Sequence, residues 1–215
     1  MDKLVELLNK TKEITISANS IMSERKRRGD NFDIFEILKM SHYEEKLHTP
    51  FLTELLNPDG SHGLKDAFLR AFINIANLDV NLDFKCLSVI SEFNIGNKSD
   101  DNQIGGRIDI FISDRAKNAI IIENKIYAED QENQLLRYYN YVKENGLNGI
   151  LIYLTLEGTE PSDFSLGRKN FDYVCLSYRK MILPWLQRCV ELSACYPLVR
   201  ETIRQYITNL KSLLN

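Results

Sequence analysis

The sequence is poor in the residues that staple, ligate or anchor a chain. Its four cysteines, Cys86, Cys175, Cys189 and Cys195, form no Cys-x-x-Cys pair and stand at no Cys/His ligand spacing. That excludes a zinc ribbon or finger and offers no disulfide framework. No run of about 18 apolar residues occurs, so no membrane helix is expected. The opening stretch, MDKLVELLNKTKEITIS, is amphipathic and broken by charges, unlike a secretory signal. The expected setting is therefore cytoplasmic, with reduced thiols. There is no cationic excess either, because 27 Lys and Arg face 30 Asp and Glu for a formal net charge of -3. A nucleic-acid binder with this balance needs a local basic cleft, or metal ions that bring positive charge to a phosphate. The single tryptophan, Trp185, sits in a helical stripe. Aromatic sugar platforms are thus missing, which counts against a two-carboxylate glycosidase. No repeat, low-complexity tract or Pro/Gly linker divides the chain. With 44% hydrophobic and 27% charged residues, it reads as one globular domain over 1–215.

What is present centres on Gly105–Tyr141, GGRIDIFISDRAKNAIIIENKIYAEDQENQLLRYYNY. RIDIFIS and AIIIENK have strand composition, and DRAKN between them is a turn, so a hairpin is expected with its tip near Ala116. In that register Asp109 falls opposite Glu123. Side chains two apart on a strand share a face, which brings Lys125 beside Glu123. Charges among Ile-rich strands need partners or a metal, because an unpaired buried ion is costly. A plain ion pair at the sheet end satisfies the same spacing, and the hairpin alone does not decide between the two.

The flanking segments extend the pattern. Residues 2–27 have helical periodicity through Leu4, Leu7, Leu8, Ile14, Ala18, Ile21 and Met22, and end in the basic run Glu24–Arg28, read as a solvated helix terminus. A short helix is expected over NFDIFEILKM. Thr49-Pro50 reads as a cap and first helical position, and Asn57-Pro58-Asp59-Gly60 as a turn, with a further helix from His62. His48 and His62 are assigned capping or packing roles in preference to ligation. LSVISEFNI (87–95) is a first strand with one charge, Glu92, and GNKSDDNQIGG is a polar loop beside the hairpin. Glu129–Glu132 is read as an acidic helix start. The helix that follows carries Leu135, Tyr139 and Val142 toward the sheet, and a neighbouring stripe of Gln134, Arg137, Tyr138 and Tyr141. That stripe could hold a phosphate backbone or stack on bases, or simply rim the core. GILIYLTL is an apolar strand expected at the sheet centre, YVCLSY is a fifth strand, and two helices close the chain. Their stripes (Ile182, Leu186, Val190; Val199, Ile203, Ile207, Leu210, Leu214) are expected to pack the core and to offer a surface for a homo-oligomer.

Asp109, Glu123, Asn124 and Lys125, with Gln134 and Tyr138 on the next helix, resemble the core of the PD-(D/E)XK nuclease superfamily and the Gln-x-x-x-Tyr motif of its exonuclease-like branches. Ile108 stands where the name-giving proline would be. Glu45-x-x-His48-x-x-Phe51-Leu52 and the later LLNPDGSHG resemble the start of a bacterial subfamily, and extend the likeness over nearly the whole chain. The resemblance implies an α/β, restriction-endonuclease-like αβββαβ core over about 44–178. It would have a central mixed sheet of four to five strands, with helical additions over 1–40 and 179–215. It implies a metal-dependent nuclease acting on DNA in preference to RNA, the alternative being a catalytically silent module that binds nucleic acid or a protein. Implied catalytic residues are Asp109, Glu123, Lys125 and Gln134. Asp109, Glu123 and Glu45 would bind Mg²⁺, or else Mn²⁺, together with the Asn124 carbonyl, and Glu44 and Glu92 rival Glu45. Tyr138, Arg137 and Tyr141 would meet the nucleic acid.

Overall fold

A computed structural model describes residues 2–29 and 32–214. The chain divides into two compact units, Met1–Ile34 and Phe35–Asn215. The first is essentially one long helix, α1 (Asp2–Arg28). Its periodicity gives the expected helix, and every side chain described along it is exposed. The helix expected over 31–40 is only a four-residue turn, α2 (Ile34–Ile37), and Asn31 at its start lies outside the described residues.

The second unit carries a five-stranded mixed sheet in the order β1 (Leu87–Asn94), β2 (Arg107–Asp114), β3 (Asn118–Lys125), β4 (Asn148–Thr155), β5 (Val174–Ser177). β1, β2 and β3 pair antiparallel, and β3, β4 and β5 parallel. The central place goes to β3, one strand before GILIYLTL, and nearly every β3 side chain is buried. Buried parallel strands read as continuous apolar runs, so β3 and β4 are hard to rank from composition.

One face of the sheet packs against α3 (Thr49–Leu56), α4 (Ala67–Ile75), α7 (Leu183–Leu192) and α8 (Pro197–Leu213) through Leu52, Phe68, Phe72, Ile120, Ile122, Trp185 and Leu210. The Trp185 indole donates to the Phe68 carbonyl at 2.9 Å, which satisfies its one polar atom. The other face packs against α5 (Gln134–Glu144) through Phe111, Ile121, Leu135, Tyr138 and Val142. A short α6 (Asp163–Leu166) flanks α5. The apolar stripes of α7 and α8 are spent on this core: Leu186, Val190, Ile203, Ile207, Leu210 and Leu214 are all buried. On α8 itself Leu198 is 85% exposed.

Strand alternation breaks at one place. Ile110 and Ile112 belong to the first core, whereas Ile108, an even number of residues away, belongs to the second. Across the ladder, Glu92 in β1 adopts a left-handed φ of +55° and falls where the register would set it opposite Asp109. A non-glycine residue in that region is strained. The β2–β3 ladder also stops at Ile110–Ile122. Beyond it the Asp109 carboxylate takes the Asn124 N–H at 2.8 Å, in place of a backbone carbonyl. The two strands part here, and the parting makes the site.

Candidate active site

The parted ends of β2 and β3 open into a cavity of about 410 Å³ lined by Glu44, Glu45, Arg107, Asp109, Glu123, Lys125, Gln134 and Arg137, among others. All the catalytic and metal residues expected from sequence border this one space. The hairpin register is as expected, since Ile110 pairs Ile122 and the next step sets Asp109 against Glu123.

Glu123 is 1% exposed and is held by three side chains. Lys125 Nζ lies 2.9 Å from Oε1, and Gln134 Nε2 donates to the same oxygen at 2.7 Å. The Tyr138 hydroxyl sits 2.8 Å from Oε2 and 2.6 Å from the Arg107 carbonyl. One phenolic proton cannot serve both acceptors, so the cluster is short of a proton. Burial pushes the Glu123 carboxyl above its usual range, against the pull of Lys125, and so favours a proton there. Asp109 is raised further, first by burial and then by the Glu123 charge, with the Asn124 N–H opposing. Burial works to lower the Lys125 pKa, but Glu123, and after it Asp109 and Glu44, overcome this and leave the amine above its ordinary value. Lys125 is therefore an ammonium in this arrangement, suited to holding a water or a phosphate oxygen.

Sequence left open whether Glu45 precedes its helix. It lies in a π-helical turn, Glu44–His48, that runs straight into α3. The helix thus begins before Thr49-Pro50, and Thr49 does not act as the N-cap. Its hydroxyl instead accepts from the Asn124 side chain at 3.1 Å. The two glutamates divide the work. Glu44 Oε1 accepts the N–H groups of Ile126, Tyr127 and Ala128 at 2.5, 2.8 and 2.9 Å, pinning the chain as it leaves β3. Glu45 pairs with Arg107, whose guanidinium also contacts Glu92. Burial raises the Glu92 pKa and Arg107 counters it.

The helix stripe expected to face nucleic acid turns inward. Tyr138 is fully buried, Arg137 is 2% exposed, and Tyr141 is half-buried with its edge against Phe93 and Phe111. The acidic stretch Glu129–Glu132 precedes the helix without belonging to it, because Asn133 turns left-handed and α5 starts at Gln134. Gln134 and Tyr138 lie under the sheet, where they grip Glu123. Arg137 instead borders the cavity beside Gly106, where an added Cβ would lie 3.2 Å from its Nε. The preceding Gly105, at φ +78°, admits no side chain at all, since a Cβ would meet the Asn97 carbonyl at 2.0 Å.

The two histidines behave as expected. His48 is buried between the Tyr206 hydroxyl (2.8 Å) and the Ser41 carbonyl (2.9 Å), and His62 braces the Asn57 turn. Sequence reading missed Arg107. The available signal was a cation two residues before Asp109 on the same strand.

The donors facing the cavity are carboxylate oxygens, the chemistry that suits Mg²⁺ or Mn²⁺. Among the described residues no group of three or more His, Cys, Asp or Glu side chains is already gathered around one point. Asp109 and Glu123 nonetheless repel each other across the gap, and a cation between them would relieve that repulsion. The donor set fits such an ion.

A family model described as the PD-(D/E)XK nuclease superfamily matches residues 32–208. No curated protein and no solved structure matches the chain significantly. The family match covers most of the chain and spans the sheet, α5 and the cavity; the chain belongs to the PD-(D/E)XK nuclease superfamily, and its α/β fold is that family's restriction-endonuclease-like one.

Proposed function

We propose that this member of the superfamily is a divalent-metal-dependent nuclease that hydrolyses phosphodiester bonds, in DNA rather than RNA. The observation that carries the reading is the meeting of Asp109, Glu123 and Lys125 at the one point where β2 and β3 part, inside a cavity able to admit a phosphate. Asp109 and Glu123 would hold the metal, with the Asn124 carbonyl and Glu45 as further donors. The same edge of β3 that gives the Asn124 N–H to Asp109 carries that carbonyl, because both groups of an extended residue leave on one side. When bound, the ion would polarise the phosphoryl oxygen and make a bound water more acidic. Lys125 would orient the attacking water and offset charge building on the phosphate. Gln134 and Tyr138 would fix Glu123, and Arg107, released from Glu45 and Glu92, would take a backbone phosphate.

The test is cleavage of single-stranded, duplex, flapped and circular DNA, and of RNA, in Mg²⁺ and Mn²⁺. D109A, E123A and K125A run beside the wild type. Variants that cut as well as wild type would sink the assignment. A second reading, a silent nuclease-fold module, draws on Glu123 being bound by Lys125, Gln134 and Tyr138 with Glu45 tied to Arg107. Calorimetric titration separates the two, since no Mn²⁺ uptake would favour the module.

A further inference from the structure

α1 is unlike the other long helices. Leu4, Leu7, Leu8, Ile14, Ile21 and Met22 on it are each 58% exposed or more. A helix of this length with an uncovered apolar stripe gains little from propensity alone, and in water it is normally stabilised by packing that stripe. The stripe has a heptad rhythm. Leu4, Leu7, Thr11, Ile14, Ala18 and Ile21 alternate spacings of three and four, the a and d positions of a coiled coil, with Leu8 and Met22 alongside. Val5 and Ile16 lie off the seam.

We propose that α1 is an oligomerisation helix, and that its occupant is α1 of a second copy of this chain, packed antiparallel. Two features select that partner and direction. First, an antiparallel register about the midpoint sets Leu4 on Ile21, Leu7 on Ala18 and Thr11 on Ile14. Each layer is an a residue facing a d residue, and each small residue meets a large one, as good packing requires. A parallel pair would stack Ala18 on Ala18 and Thr11 on Thr11 and leave gaps. Second, charge is uneven along the helix. Asp2–Glu13 holds three acids and three lysines, whereas Ile14–Arg28 holds one acid and four cations. A parallel pair would bring the two basic ends together; the antiparallel one keeps them at opposite ends. A membrane surface is the less suitable occupant, because interfacial helices keep a 3.6-residue period and not this 3–4 seam.

The experiment is sedimentation of the full chain over a wide concentration range, with Ile14→Lys on the seam and Ile16→Lys off it as a matched pair. Wild type and I16K should sediment as dimers at tens of micromolar. I14K should fall to half that mass while the thermal transition of the nuclease unit stays in place. In a Cys195→Ser background, a mixture of Leu7→Cys and Ala18→Cys proteins should cross-link, and either alone should not. A wild type that stays monomeric, an I16K as disruptive as I14K, or cross-linking of L7C alone would each overturn the proposal. So would monomers that pellet with phosphatidylserine vesicles through the same seam.

Discussion

β3 presents a buried polar cluster on each of its sides, and the two are built on opposite rules. Toward the cavity, Glu123, Asp109 and Lys125 are ionisable and crowded: burial raises both carboxyl pKa values, and the carboxylates hold Lys125 as an ammonium. On the other side, Asn124 gives its amide to Thr49 at 3.1 Å and takes the Tyr178 hydroxyl at 2.7 Å, while His48 bridges Tyr206 and Ser41. That second network is neutral. Burial lowers the His48 pKa, so the ring stays uncharged, and Tyr178 and Tyr206 are pushed up well past titration. A closed neutral network holds a strand in place. An open charged one keeps an unfavourable state in being for use. Alternation along one strand puts them back to back, so the rear network positions Asn124, the residue between the two proposed catalytic ones.

The sharpest break of this comparison is chemical. D109N should lower nuclease turnover roughly 10³-fold or more, since a charge at the reacting centre is lost. The same change should raise stability by about 0.5–2 kcal/mol in metal-free buffer, because it removes repulsion between buried carboxylates; calorimetry against an activity assay checks both signs. Metal should separate the sides next. At about 100 times its dissociation constant, Mn²⁺ should stabilise wild type by about 2.7 kcal/mol, and D109N much less. On the rear side, Tyr178→Phe should cost about 1–3 kcal/mol by leaving the Asn124 side-chain oxygen unsatisfied, seen in urea unfolding.

The smallest effect is in pH, and its sign differs between the sides. His48 has a folded pKa below its unfolded 6.5. Its contribution is therefore whole above 6.5 and declines as pH falls below that value. Asp109 has a folded pKa well above its unfolded 3.8, so the folded state takes its proton first, and acidification through that interval stabilises. His48→Asn should flatten the loss of melting temperature between pH 7 and 5. D109N should remove the opposing gain at lower pH. Equal slopes in both variants would dissolve the distinction between the sides.

Much was legible in the sequence because it rests on local periods. Alternating Ile residues around a polar turn fix the hairpin, and a period of two puts Asp109, Glu123 and Lys125 together. A helix following the hairpin was equally clear, though sequence reads its start at Glu129–Glu132 and it lies at Gln134. Its rotation was not, because a left-handed Asn133 sets the starting phase, and no pattern of apolar residues encodes that turn. So Tyr138, read as substrate-facing, lies inside, whereas Arg137 borders the cavity. The same reason hides the order of the two best strands: β3 and β4 are both continuous apolar runs, and only pairing partners separate them.

Sequence alone determined the family, the α/β plan, the identity of the central charges and the heptad seam of α1. These depend on residue type and spacing along the chain. Tertiary structure alone decided that Glu44 ties down the end of β3, that Arg107 bridges Glu45 and Glu92, and that Tyr178 braces Asn124 from behind. Each joins residues from 15 to 84 positions apart by side chains that carry no periodic signal, so nothing in local order could announce them. The parting of β2 from β3 belongs with these, and it falls level with the left-handed Glu92 on a third strand.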